Sequence, residues 1–267
     1  MRYAPFGFSN IAWPGDALEE ALAMLARIGC ASVEIAPFNV FGRWDDIADD
    51  ARRLRDTIER HGLVCSALQG ILYGMPDVEL FASETSRSRL QRHLESVAVL
   101  AGVLGAKACV FGAPKQRDPA GMPMSKAWSI AVAALRQVGP AFAAQGSALA
   151  FEANARHYGC RFVTTTAEAA ALVAEVGTPG IGLQIDTGTL FLEAEPPGVL
   201  AVAAPLAVHA HVSEPDLQVP GAIDHSGIAA ALGDSGYAGS LSVEMKRVED
   251  WRSAIPAAAR FTRAVYA

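Results

Sequence analysis

Basic clusters are largely missing from this chain. Lysine and arginine number 22 against 28 acids in 267 residues, for a net charge of −6. The one tight basic group, Arg52-Arg53-x-Arg55, sits among acids on an expected surface helix. A protein that grips a phosphate backbone carries a basic stripe, so no nucleic-acid partner is expected. Cysteine is scarce too. Cys30, Cys65, Cys109 and Cys160 are widely spaced, with no C-x-x-C pair and no disulfide framework. The longest apolar run, Val97 to Ala106, is too short to span a bilayer and is interrupted by glycine. No basic segment followed by a long apolar stretch opens the chain, so neither a signal peptide nor a membrane is expected, and the environment reads as reduced and cytoplasmic. The phosphate turn G-x-G-x-x-G of an open doubly wound sheet is also absent: the first expected strand runs into Asn10-Ile11-Ala12-Trp13-Pro14-Gly15.

What is present is apolar residue content of 51% in a regular alternation. Strand-like runs fall near 4–13, 31–37, 63–69, 107–112, 148–153, 181–186, 206–212 and 239–244. Helical spacing covers 16–29, 45–61, 84–105, 125–146, 165–176, a poorer stretch near 196–204, then 224–235 and 251–265. Asp16 is read as opening the first helix and Gly29 as closing it, and Thr166 with Glu168 as starting another. Eight strands alternating with eight helices is the count of a (β/α)8 TIM barrel, expected here as a single domain over residues 1–267. The longest connections, 70–83 and 113–124, follow strands three and four, on the face where barrel enzymes build their sites.

Charged residues are rare inside barrel strands, so four of them stand out. Glu152 ends Leu149-Ala-Phe-Glu, Asp186 ends Gly182-Leu-Gln-Ile-Asp, His211 lies in Val208-His-Ala-His-Val, and Glu244 ends Leu241-Ser-Val-Glu. They mark the ends of strands five to eight, which are neighbours in a closed barrel. Each alone is an ordinary cap, ion-pair partner or core histidine; on four consecutive strand ends they can meet at one point. Three carboxylates so placed repel one another unless a cation joins them. Two Glu, one Asp and one His suit one divalent metal ion, Mn2+, Mg2+ or Co2+, with Zn2+ also accommodated. The two-residue period puts His209 on the same face as His211, where it lines the pocket or orients a ligand.

These segments resemble the sugar phosphate isomerase/epimerase family, the xylose isomerase-like TIM barrels related to ketose 3-epimerases, inosose dehydratases and endonuclease IV. The matching pieces are Phe151-Glu152-Ala153-Asn154, Ile185-Asp186-Thr187-Gly188, His209-Ala-His211-Val-Ser-Glu214 and Gly236-Tyr237-Ala-Gly-Ser-Leu-Ser-Val-Glu244. The resemblance implies that Glu152, Asp186, His211 and Glu244 are the metal ligands and that Glu152 and Glu244 double as the catalytic proton-transfer pair. The chain also departs from its relatives. Gln69 and Phe111-Gly112 stand where endonuclease IV-like members need extra histidines, Thr189 replaces a histidine three residues past Asp186, and Leu217 replaces a basic residue of ketose 3-epimerases.

An ion beside two carboxylates suits proton abstraction next to a carbonyl. Return of the proton gives epimerisation or isomerisation of a sugar or sugar derivative. The alternative is a metal-dependent lyase or dehydratase, including deglycosylation of an oxidised sugar; a non-catalytic sugar-binding barrel is the third reading. Further substrate-binding candidates are Trp13, Gln69, Lys115, Arg117, Arg156, His157, Glu214 and Lys246. A small-molecule sugar is the expected partner, and a homodimer or a partner subunit is compatible with such a barrel.

Overall fold

A computed structural model describes residues 6–266. Its strands are β1 Phe6–Ser9, β2 Ser32–Ile35, β3 Val64–Leu68, β4 Ala108–Phe111, β5 Ala148–Glu152, β6 Ile181–Asp186, β7 Ala207–Val212 and β8 Ser240–Val243. All pair in parallel with their sequence neighbours, and β8 pairs with β1, closing the barrel. The helices are α1 Leu18–Arg27, α2 Pro37–Phe41, α3 Ala48–Arg60, α4 Glu84–Leu104, α5 Met124–Ala144, α6 Thr166–Val176, α7 Thr187–Leu192, α8 Leu200–Ala203, α9 Ser226–Asp234 and α10 Trp251–Tyr266. The expected eightfold alternation is therefore present; residues 4 and 5 of the first expected strand lie outside the described residues. None of the described helices is long and apolar enough to cross a membrane.

Local chemistry moves some expected boundaries. Asp16 does not cap α1 but sits in a 3-10 turn, Gly15–Ala17, that leads into it. Gly29 adopts the left-handed conformation just past α1, as its role as terminator requires. The cap of α6 is Thr165 and not Thr166: its hydroxyl accepts from the Glu168 amide, and the Glu168 carboxylate reaches back to the Thr165 amide. The poor helical stretch near 196–204 is a 3-10 turn followed by the single-turn α8. The short helices α2 and α7 were not expected; α7 begins directly after Asp186, whose carboxylate caps it by accepting from the Thr189 amide at 2.6 Å. On α3, Arg52, Arg53 and Arg55 pair with Asp49, Asp50 and Glu59.

The two-residue period sorts the strand side chains. Phe8, Val33, Ile35, Leu149, Phe151, Leu183, Ile185, Val212 and Val243 join the core between sheet and helices. Ala67, Ala108 and Ala150, with Val208, form a separate cluster of small residues inside the barrel. Several other inward positions are polar: Ser32, Glu34, Gln184, His209 and Ser242 are all buried. Many barrels fill this space with branched aliphatic side chains. Here small and polar groups occupy it, which leaves room for charged side chains to reach the strand ends from within.

Backbone contact is tightest where α5 passes β6. Gly180 has φ +83°, and a Cβ there would lie 2.0 Å from the Gly139 carbonyl oxygen. Gly159 has φ +75° but opens onto free space. Gly180→Ala should cost at least about 3 kcal/mol, from left-handed strain plus overpacking, and Gly159→Ala only about 1 kcal/mol. Chemical denaturation of the two variants checks the ranking; equal losses would contradict it.

Candidate metal centre

The C-terminal ends of β5, β6, β7 and β8 bring Glu152, Asp186, His211 and Glu244 together. Glu152 and Asp186 are the last residues of their strands, and Glu244 follows β8 directly. His211 Nδ1 lies 3.2 Å from Glu244 Oε2, 3.5 Å from Glu152 Oε1 and 4.0 Å from Asp186 Oδ2. Glu152, Asp186 and His211 form a tight triad, with ligand atoms within 4.8 Å of one another. Glu244 joins it through the imidazole.

Neighbouring groups fix two of the three carboxylates. The Asn154 side-chain amide donates to Glu152 Oε2 at 2.8 Å. Ser213 Oγ donates to Asp186 Oδ2 at 2.5 Å, and the same hydroxyl accepts from the Gly188 amide. Gly112, at the end of β4, makes space for the first acid: a Cβ there would lie 2.4 Å from Glu152 Oε2. Phe111-Gly112 supplies no ligand, and its positive role is to let that carboxylate in.

Glu34 was missed. It stands near the end of β2, is fully buried, and places both carboxylate oxygens 3.0 Å from His211 Nε2. His209 Nε2 lies 3.5 Å from the same carboxylate, while its Nδ1 meets Ser240 Oγ at 2.7 Å. Burial alone would raise the Glu34 pKa, but the two histidines override it and hold it below the usual carboxylate range. Glu34, His209 and His211 also form a compact set of ligating atoms. Their chemistry is that of an ion pair: one carboxylate faces two ring nitrogens able to donate to it.

That pairing decides what His211 can do. With Nε2–H donating to Glu34, Nδ1 is the nitrogen that faces the other three acids, and once it gives up its proton its lone pair is free for a cation. Nδ1 is buried and has no hydrogen-bond partner. Burial pushes Asp186 above the ordinary carboxylate range, reinforced by the charge of Glu152. Burial likewise raises Glu244 to about 7, with Glu152 and Asp186 adding to the shift against the opposing pull of His211. Burial would depress His211, yet the surrounding acids, Glu34 and Glu244 foremost, raise it well above its ordinary value. A bare ring nitrogen and three crowded carboxylates are a donor set that fits a divalent cation, with Glu34 as the carboxylate that orients the histidine from behind.

The acids open into a cavity of about 200 Å3 lined by Pro114, Asn154, Tyr158, Gly188, Thr189 and Leu217 in addition to Glu152, Asp186, Ser213, Glu214 and Glu244. A larger groove of about 340 Å3 lies on the outer wall between α4 and α5, away from these strand ends. The substrate candidates named from sequence divide. Glu214 lines the cavity, and its Oε1 accepts from the amides of Gly221, Ala222 and Ile223, so it also organises that loop. Trp13 is 3% exposed within the hydrophobic core. Gln69 is buried and donates to Ser9 Oγ. Lys115 and Lys246 are exposed, Arg156 is exposed and pairs with Glu193, and His157 pairs with Asp216. None of these six lines the cavity. Arg117 is fully buried: its guanidinium donates to the carbonyls of Phe162 and Glu152 and to Asn154 Oδ1, over the Phe151 ring, and so ties down the loops beside Glu152.

A closed parallel barrel with acids and a histidine converging on its C-terminal strand ends defines the class: (β/α)8 barrels built around a potential cation site. The chain belongs to the xylose isomerase-like TIM barrel family, whose sequence model matches residues 22–265. No curated protein sequence matches it. Among solved structures it is similar to D-psicose 3-epimerase from Clostridium cellulolyticum H10, with TM-score 0.84, 18% identity and coverage of 98% of this chain and 99% of that one. It is also similar to 3-keto-D-glucoside 4-epimerase from E. coli, with TM-score 0.79, 17% identity and coverage of 98% and 99%. For an L-ribulose 3-epimerase the TM-score is 0.77 and the identity 24%, with coverage of 98% and 92%. At these identities the likeness speaks to the fold.

Cation binding should show in stability. A group whose folded pKa is raised, as that of Glu244 is from 4.5 to about 7, contributes stability that is complete below pH 4.5 and is lost as pH rises through 7. The ion-free protein therefore loses stability across that window, and a divalent ion restores more of it at pH 8 than at pH 5. At 100-fold excess over Kd the gain at pH 8 should be on the order of 5–10 °C in Tm. Glu34→Gln should weaken metal binding about 10–100-fold while the barrel still folds. Thermal shifts with Mn2+ against EDTA, on both proteins at both pH values, check this. A Tm unmoved by any divalent ion at pH 8 would contradict it.

Proposed function

We propose that this protein is a divalent-metal-dependent isomerase or epimerase that moves a proton at the carbon next to a carbonyl of a sugar or sugar derivative. The observation that carries this reading is the pair of glutamates. Glu152 on β5 and Glu244 just past β8, with β6 and β7 between them, bring two carboxylates to one cavity. Glu152, Asp186, His211 and Glu244 would hold the ion. When bound, it supplies positive charge for the substrate's carbonyl and hydroxyl oxygens and so favours loss of the neighbouring proton.

The chain's own groups do the rest. One glutamate takes the proton, and the other, reaching the cavity from a different strand, is placed to return it. Asn154 holds Glu152 and Ser213 holds Asp186, so neither swings away when the charge balance changes. Glu34 keeps the His211 ring in one orientation from inside the barrel. The buried Arg117, bonded to the Glu152 carbonyl, fixes the backbone that presents the first base. The structural neighbours named as sugar epimerases support the same reading. Elimination from a keto-sugar would use the same first step and remains the runner-up.

Glu152→Gln and Glu244→Gln each keep a weak oxygen ligand but remove a proton acceptor. Each should retain metal at high concentration and lose turnover by at least about 10²-fold. In a two-base epimerisation, one of the two should still exchange substrate hydrogen with deuterated solvent without forming product. Turnover, metal content and exchange measured on the same samples test this. Near wild-type turnover in both variants would leave a sugar-binding barrel as the better reading.

A further inference from the structure

The wall of the cavity away from the acids is made by a segment the chain holds in an uncommon conformation. Asp216 and Leu217 follow one another in the left-handed region, with φ +58° and φ +53°, although neither is glycine. Such backbone is costly and persists where its surroundings over-determine it. Several ties do so. Tyr158 Oη accepts from the Asp216 amide at 2.9 Å, and the Asp216 carboxylate meets His157 Nε2 at 2.7 Å. The Leu217 amide donates to the Glu214 carbonyl, and its own carbonyl accepts from the Lys246 amide at 2.8 Å. Loops after β5, β7 and β8 are thus bound together, and the result is that Leu217 lines the cavity.

Leu217 is joined there by Pro114 and Tyr158. The ionisable groups facing them across the cavity, Glu152, Asp186, Glu214 and Glu244, are all acids. Among the described residues no arginine or lysine lines the cavity: the Arg117 head is spent on carbonyls and Asn154 Oδ1, Arg156 is paired with Glu193, and Lys115 and Lys246 are exposed. An anionic group on the substrate would meet like charge and an apolar wall with no donor cation, at a desolvation cost nothing repays. A methyl, methylene or aryl group would instead be removed from water.

We infer that the substrate is an uncharged carbonyl sugar whose apolar substituent, a deoxy carbon or an apolar aglycone, packs on Leu217, Pro114 and Tyr158, and that phosphate esters and sugar acids are rejected. This rests on the proposed reaction at the same site but concerns recognition, so it has its own readout. The test is binding to the Mn2+-loaded protein, by calorimetry, of compounds differing in one group: D-fructose, its 1-deoxy and 6-deoxy derivatives, and its 1- and 6-phosphates. At least one deoxy compound should bind about 3–5-fold tighter than D-fructose, the worth of about one buried methylene, and both phosphates at least about 10-fold weaker. Leu217→Ser should abolish the deoxy preference, and Leu217→Lys should narrow the gap to the phosphates. A phosphate binding as well as D-fructose, a ranking unchanged in Leu217→Ser, or no binding by any compound would overturn the inference. If the ranking holds but no bound compound exchanges hydrogen with deuterated solvent, the recognition stands and the proposed reaction is what fails.

Discussion

The arrangement turns on one imidazole held between opposing demands. His211 has Glu34 against one nitrogen and Glu152, Asp186 and Glu244 around the other. One ring cannot neutralise four carboxylates, and burial makes the surplus charge expensive. The strain shows in Asp186 and Glu244, both of which are driven towards their protonated forms. A divalent ion at Nδ1 would relieve it while leaving the Nε2 pairing intact. The candidate cation site, the histidine orientation and the raised pKa values of Asp186 and Glu244 are thus aspects of a single electrostatic arrangement.

The barrel interior is shaped to allow this. Alanines on β3, β4 and β5 and serines on β2 and β8 take positions that branched aliphatic residues fill in many barrels. Gly112 clears the space next to Glu152. The apolar burial that stabilises the fold sits mainly outside the sheet, against the helices. Glu34 and His209 can therefore lie deep inside without displacing the main core, with the His209 Nε2 3.5 Å from the Glu34 carboxylate.

The alternation of strands and helices was legible because parallel strands buried on both faces read as short apolar runs, and helices between them carry a 3.6-residue period. The four strand-end residues were legible because a charge at the end of such a run is unusual. Glu34 was not, because Ser-Val-Glu-Ile on β2 looks like any acid in a short strand, and only the closed barrel brings β2 across from β7. The loop cations misled for a related reason. Arg117 has no sequence mark separating a solvated loop arginine from one buried against carbonyls, and Trp13 none separating a cavity wall from a core. That Thr165 and not Thr166 caps α6 has no mark in the sequence, because adjacent threonines differ only in which hydroxyl meets the Glu168 amide.

The most direct test of the account is a crystal structure of the Mn2+-loaded protein with data collected at the manganese absorption edge. The account predicts one anomalous peak bonded to Glu152, Asp186, His211 Nδ1 and Glu244, with His211 Nε2 still on Glu34. A peak between Glu34, His209 and His211 Nε2, or no peak among these residues, would contradict it.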